Sequence, residues 1–128
     1  MADGPQLGDV VTAAFPTRDP QGHEQEGLRP AVVVALPDRL GPGRFPLLVL
    51  VPFTSYRKQS WVDAAPGRYP KFAPGTTGLW SPSVALLDQV VSVDAARIRR
   101  RRGQLNADQY QTVRTGLEQM FALETTAL

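Results

Sequence analysis

Three apolar segments in the first half of the chain have the length and composition typical of β-strands. Residues 7–15 carry Val10 and Val11 at their centre and predict a first strand. The β-branched side chains within residues 29–36 predict a second strand that is buried. Residues 45–53 are apolar on both faces of an extended chain, which predicts a third and central strand.

The second half of the chain combines short strand-like pieces with one amphipathic helix. Residues 83–87 and 89–93 predict two further strand pieces. Asn106 is a good helix N-cap, and Gln109 can complete a capping box. The apolar positions that follow at helical spacing are Tyr110, Val113, Leu117, Met120 and Phe121. About six strands followed by one C-terminal α-helix predict a mainly β fold, a small antiparallel barrel with the helix across it.

Turn-forming and polar segments separate these elements. Residues 16–27 predict a long loop and residues 37–44 a turn. Residues 56–77 are irregular apart from a short edge strand near 69–72, and residues 94–97 predict one helical turn. Residues 1–6 predict a loose arm, and the 128 residues suit a single domain.

Composition narrows the class of protein. The chain has no cysteine and one histidine, which excludes disulfides, thiolate metal sites and multi-histidine metal clusters. No apolar run approaches the ~20 residues needed to cross a bilayer, and residues 1–5 lack a signal pattern. We therefore expect a cytoplasmic protein without a membrane segment, metal or cofactor. The net charge is only +2, but five arginines lie between positions 97 and 102.

Residues 22–30 concentrate chemically active side chains. The segment Gly-His-Glu-Gln-Glu-Gly-Leu-Arg-Pro holds an imidazole, two carboxylates, an amide and a guanidinium. It directly precedes the buried second strand, so we expect a loop at the mouth of a rigid sheet, a common place for chemistry. The alternative from composition alone is an ordinary solvated hairpin loop.

Several segments, in order, resemble the MazF/PemK (Kid-like) toxins. The match spans roughly residues 7–123, and the combination of segments is more specific than any one of them. The matching segments are Gly8-Asp9-Val10-Val11, Gly22-His23-Glu24-Gln25, Gly27-Leu28-Arg29-Pro30, Val51-Pro52-Phe53-Thr54-Ser55, Asp88-Gln89-Val90, then Val93-Asp94 and Arg97.

The resemblance implies an SH3-like barrel and a metal-independent, sequence-specific endoribonuclease. Such toxins cleave single-stranded mRNA through the ribose 2′-hydroxyl, leaving a 2′,3′-cyclic phosphate and a 5′-hydroxyl. The resemblance assigns Arg29 to stabilising the pentacovalent phosphate, for which a guanidinium is well matched. It makes Thr54 a hydroxyl donor at the same phosphate. The alternatives are an Arg29 paired with Glu24 or Glu26 and a Thr54 that is only a strand residue.

The resemblance leaves the general base open. A histidine side chain titrates near neutrality and a carboxylate can be tuned by burial, so either His23 or Glu24 can take the 2′-hydroxyl proton. Asp88 matches an aspartate that PemK-type members use in catalysis. Those members carry an arginine two residues earlier, whereas this chain has Leu86. Asp88 is therefore a candidate for either a catalytic or a structural role.

A second set of residues is predicted to bind RNA. Aromatic side chains in this set can stack on unpaired bases. We prefer core or dimer packing for Trp80, and the arginines up to Arg102 can serve RNA, an antitoxin or a solvated strand. The predicted RNA-binding residues are Gln25, Ser55, Tyr56, Arg57, Lys58 and Trp61.

The resemblance also implies two protein partners, a second copy in a homodimer and an acidic MazE-like antitoxin. Two other functions remain as alternatives. One is a CcdB-like gyrase poison with the same barrel, although here both tryptophans lie well before the helix. The other is a non-enzymatic SH3-like binding module.

Overall fold

Seven antiparallel strands form the framework of the computed structural model, which describes residues 4–75 and 77–123. The main sheet has the strand order β4-β5-β3-β2-β1-β7, and β6 pairs separately with β3. The strands are β1 Asp9–Phe15, β2 Gly27–Ala35, β3 Leu47–Ser55, β4 Lys71–Phe72, β5 Ser83–Ala85, β6 Val91–Asp94 and β7 Ile98–Gln104. The helices are α1 Ser60–Asp63 and α2 Ala107–Met120, with 3₁₀ turns at Pro37–Leu40, Leu87–Gln89 and Ala95–Arg97.

Strand β3 is the centre of the sheet, as its apolar composition predicted. Its first residues pair with β6 and its last three pair with β5, while β2 runs along its middle. The sheet therefore curls around β3 into a small SH3-like barrel, which confirms the predicted mainly β fold. One consequence is that the end of β3 lies beside the start of β2.

Alternate side chains of the central strands enter two separate cores. Val10, Val32 and Val51 belong to one buried cluster, which also contains Phe53 and Val113. Their neighbours belong to a second buried cluster on the other face of the sheet, namely Val11, Val33 and Leu50. Successive strand residues point to opposite faces, so strands covered on both faces are apolar at every position.

Helix α2 begins at the predicted capping box. The Asn106 side chain accepts from the Gln109 amide at 2.8 Å, and the Gln109 side chain accepts from the Asn106 amide at 2.9 Å. Val113 is fully buried against the sheet. Gly116 allows close approach, because a Cβ there would collide with the side chain of Leu87.

The end of the predicted apolar helix face differs from expectation. Met120 and Phe121 are 44% and 54% exposed, whereas Val113 is fully buried. The last positions of the predicted apolar face are therefore only partly covered within the described residues.

Several element boundaries also differ from the sequence prediction. Strand β7 was not predicted as a strand, and α1 lies in a segment expected to be irregular. The strand expected over residues 89–93 begins only at Val91, because residues Leu87–Gln89 form a 3₁₀ turn in which Leu87 is buried. Of the predicted N-terminal arm, residues 4–6 lie outside any strand and residues 1–3 lie outside the described part of the chain. Neither helix in the described residues is long and apolar enough to cross a membrane.

Candidate functional site

A cavity of about 420 Å³ opens where β2, β3, β5 and β7 meet, and we call it the arginine cleft. None of the described residues that line it is acidic. Three guanidinium groups and several hydroxyl-bearing residues in one concave surface favour an anionic ligand such as a phosphate. The polar and aromatic lining residues include Arg29, Thr54, Ser55, Arg57, Trp80 and Arg102.

Arg29 is the third residue of β2 and lines the cleft. Gly27 begins β2 with a φ of 81°, a conformation that favours glycine, and β2 then pairs with β1 through Arg29 opposite Ala13. The Nε group of Arg29 donates to the carbonyl of Glu26 at 3.0 Å. Within the described residues Arg29 makes no ion pair, so its alternative role as a partner of Glu24 or Glu26 is not seen. Its two Nη groups remain available to a ligand.

Thr54 and Ser55 reach the cleft at the end of β3. They pair with Val84 and Ser83 of β5, which fixes this end of the strand. Both residues line the cleft, although neighbouring strand side chains face opposite sides of a sheet.

Arg57 is held at the rim by a glutamine that the sequence did not single out. Gln59 accepts from the Arg57 amide at 2.7 Å and donates to the carbonyl of Ser55 at 3.0 Å. These two bonds fold the chain after β3 back on itself. Three sequence-predicted residues on the β3 side, Thr54, Ser55 and Arg57, therefore meet Arg29 in one cavity.

The cleft lining also includes two residues, Trp80 and Arg102, that were not among the predicted site residues. Arg102 of β7 donates through Nε and Nη2 to the carbonyl of Gly78, at 3.1 and 3.0 Å. Its guanidinium lies 5.6 Å from the ring centre of Trp80. From the sequence we preferred core or dimer packing for Trp80; it is 85% exposed, so it does not pack in the core of this chain, and dimer packing stays a prediction. The available signal was its setting among turn formers, between Gly78 and Pro82.

Glu24, Gln25 and Asp88 line a different, smaller cavity of about 190 Å³. Asp88 accepts from Arg68 Nη2 at 2.7 Å and from the Tyr69 hydroxyl at 2.6 Å. The hydrogen bond to Asp88 raises the pKa of Arg68. The pKa of Tyr69 is raised mainly by burial and secondly by its hydrogen bond to Asp88. The structure does not bring Asp88 to the arginine cleft, because its carboxylate is engaged by groups from the segment before β4.

The loop before β2 is joined to the 3₁₀ turn by one side chain. Gln89 donates through Nε2 to the carbonyl of His23 at 3.0 Å and accepts from the amide of Gln25 at 3.1 Å. The amide of Arg18 donates to the carboxylate of Glu26 at 2.7 Å. The side chains of His23 and Glu24 are exposed, and neither lines the arginine cleft. Gln89 was part of the family pattern, but its contact with the loop was not predicted.

The remaining predicted RNA-binding residues lie around α1. Trp61 packs edge-to-face on Tyr69, with ring centres 4.9 Å apart. The Tyr56 hydroxyl donates to Asp63 at 2.8 Å, and this bond is the main reason that the pKa of Asp63 is lowered. Lys58 is exposed at a φ of 58°. These residues form a surface distinct from the lining of the arginine cleft.

The arginine run is divided among several surroundings. Arg101 pairs with the buried Asp9 at 3.2 Å, Arg99 donates to the carbonyl of Ala96, and Arg102 lines the cleft. Across residues 4–75 and 77–123, no three His, Asp or Glu side chains cluster as a metal site would require.

Comparison with known proteins identifies the family. Residues 6–121 match the family model for PemK-like, MazF-like toxins of type II toxin–antitoxin systems. No curated protein sequence matches the chain.

Solved structures with the same fold include several toxins. MazF from Deinococcus radiodurans is 25% identical, with a TM-score of 0.70 over 94% of this chain and 99% of that chain. A MazE–MazF complex from the same organism is 26% identical, with a TM-score of 0.67 over 96% and 100%. A mycobacterial endoribonuclease in complex with its cognate antitoxin shares the fold at 14% identity, with a TM-score of 0.65 over 96% and 100%. Because the family model covers most of its length, this chain belongs to the PemK-like, MazF-like toxins of type II toxin–antitoxin systems.

Proposed function

We propose that this toxin is a metal-independent endoribonuclease that cleaves single-stranded mRNA at a preferred sequence. The observation that carries the proposal is the shared position of Arg29 and Thr54 in a cleft lined by three arginines and no carboxylate. That arrangement suits a phosphodiester, whose negative charge increases in the transition state. The mycobacterial relatives described as endoribonucleases support the same activity.

The reaction uses the RNA's own nucleophile. The 2′-oxygen attacks the adjacent phosphorus and loses its proton to a base, the bond from phosphorus to the 5′-oxygen breaks, and the 5′-oxygen takes up a proton. The products are a 2′,3′-cyclic phosphate and a 5′-hydroxyl. Arg29 supplies paired N–H donors to the pentacovalent phosphate, and the Thr54 hydroxyl donates to the same group.

We assign the general base to the loop before β2, where His23 and Glu24 remain the two candidates. Neither side chain lines the cleft in this structure, so the loop has to approach when RNA binds. Gly27, with its φ of 81°, is a hinge at the end of that loop. The pH–rate profiles of His23→Ala and Glu24→Gln distinguish the candidates. In the parent the rate rises with pH as the base becomes deprotonated, and only the variant that lacks the base loses this rise.

We also propose a homodimer and an acidic, partly disordered antitoxin as partners. The MazE–MazF complexes of the Deinococcus radiodurans relative support an antitoxin. A cavity of about 500 Å³ beside α2, lined by Leu117 and Phe121 among others, supports an association surface. Light scattering at micromolar concentration is expected to give twice the chain mass, and a strictly monomeric protein contradicts the homodimer.

The test of the activity is incubation with a mixed RNA pool in EDTA, followed by analysis of the fragment ends. We expect cyclic phosphate and 5′-hydroxyl ends, and no cleavage where the nucleotide before the cut carries 2′-deoxyribose. Loss of activity with chelator and recovery with Mg²⁺ contradicts metal independence. Intact RNA together with trapped gyrase favours the CcdB-like alternative, and intact RNA with neither activity favours a binding module.

A further inference from the structure

Trp80 is the most exposed aromatic side chain in the described residues, at 85% of its surface. Large aromatic groups are normally buried, because the apolar ring surface is costly to hydrate. An indole left in solvent on a monomer therefore needs an explanation outside the fold. Its position in the lining of the arginine cleft, the cavity that Arg29 also lines, provides one.

The Trp80 ring contacts a guanidinium group that is itself fixed by hydrogen bonds. Arg102 holds its guanidinium 5.6 Å from the ring centre, within the range of a cation–π contact. Three hydrogen bonds fix that guanidinium, two to the carbonyl of Gly78 and one of 3.4 Å to the Thr12 hydroxyl. Gly78 has a φ of 78°, and a Cβ there would collide with the backbone of Arg102. The fold thus fixes both the cation and the turn that carries Trp80.

We propose that Trp80, backed by Arg102, is the stacking platform for a nucleobase next to the scissile phosphate. This inference rests on the proposed ribonuclease function. Single-stranded RNA is recognised by stacking its splayed bases on aromatic rings and guanidinium planes. A phosphate at Arg29 and Thr54 places the adjoining nucleotide in the same cleft, where the exposed indole is available. Every base has a π-face, so the platform contributes affinity and orientation at all cut sites.

Phe45 provides a matched control for the test. It is also an exposed aromatic side chain, at 57%, with the guanidinium of Arg44 5.1 Å from its ring centre, but it does not line the cleft. Steady-state cleavage is measured for the parent, Trp80→Ala, Trp80→Phe and Phe45→Ala on the RNA that the parent cuts best. We expect Trp80→Ala to lower kcat/KM by roughly 5- to 100-fold, mainly through KM. Trp80→Phe is expected to recover most of this loss, and Phe45→Ala to behave as the parent.

A binding measurement does not depend on catalysis. In Trp61→Phe the only tryptophan is Trp80, and its emission is followed while 2′-O-methyl RNA octamers of random sequence are added. We expect the emission of Trp80 to be quenched as the RNA binds. Light scattering on Trp80→Ala is expected to give the same mass as the parent.

The outcomes separate the two proposals. If the parent cuts no RNA but Trp80 emission is quenched, the nuclease proposal fails and the platform stands as a nucleic-acid site. If the parent cuts RNA while Trp80→Ala matches Phe45→Ala and the Trp80 emission is unchanged, the platform is overturned and the nuclease stands. A Trp80→Ala protein that loses half its mass also overturns the platform, because the indole then belongs to the dimer contact.

Discussion

Replacing Arg29 with alanine tests whether the arginine cleft acts on a phosphate. The side chain is exposed, and its one hydrogen bond within the described residues is the 3.0 Å bond from Nε to the carbonyl of Glu26. The substitution therefore removes a cation and its donors from the cleft but takes almost nothing from either core.

The expected sizes of the two effects differ widely. Losing one preorganised donor at a developing charge typically lowers the rate by ~10²–10³-fold. Losing one solvent-accessible hydrogen bond lowers the free energy of unfolding by about 0.5–1.5 kcal/mol. If Arg29 had only a structural role, the opposite pattern would be expected. The free energy of unfolding would fall, while the protein that remained folded would cleave RNA at the parent rate.

Single-turnover cleavage and urea unfolding measure the two quantities on the same preparations. Arg100→Ala is the matched control, because Arg100 is an exposed arginine on β7 that does not line the cleft. This substitution removes the same charge, and its cleavage rate is expected to stay within about threefold of the parent rate. Arg29→Lys keeps the charge but not the fork of donors and should fall between parent and alanine. An Arg29→Ala protein that cleaves within about threefold of the parent refutes the assignment.

Three further substitutions have distinct expected outcomes. Thr54→Ala is expected to lose ~10²-fold or more in rate while remaining folded, as judged by circular dichroism, and near-parent activity would leave Thr54 a strand residue. Asp88→Asn is expected to cleave within about threefold of the parent and to unfold at lower urea concentration, since its carboxylate is bound to Arg68. A large loss of rate in folded protein would instead favour the catalytic role of Asp88. Gln89→Ala removes both bonds to the loop, so hydrogen exchange at residues 23–25 is expected to accelerate in free protein, and unchanged exchange would show that Gln89 does not hold the loop.

Local patterns in the sequence were sufficient for most of the fold. Strands β1, β2 and β3 could be predicted from their continuous apolar runs. A strand that is buried on both faces does not show an alternation of polar and apolar residues. The N-terminus of α2 was predicted because the capping box at Asn106 is satisfied within four residues of chain. The placement of Arg29 at the start of β2 followed from its position between the loop and the apolar run.

The composition of the cleft could only be decided by the tertiary structure. Arg102 and Arg29 are brought together through β1, which pairs with β7 on one side and β2 on the other. The ladder between β1 and β7 contains two register shifts, at Val10/Val11 and Thr12/Ala13. Each shift inserts an extra residue and changes which side chains face a given side, so simple alternation along the arginine run cannot identify Arg102 as the one in the cleft. For the same reason the exposure of Trp80 could not be predicted, because its environment depends on a turn held by Arg102, which is distant in sequence.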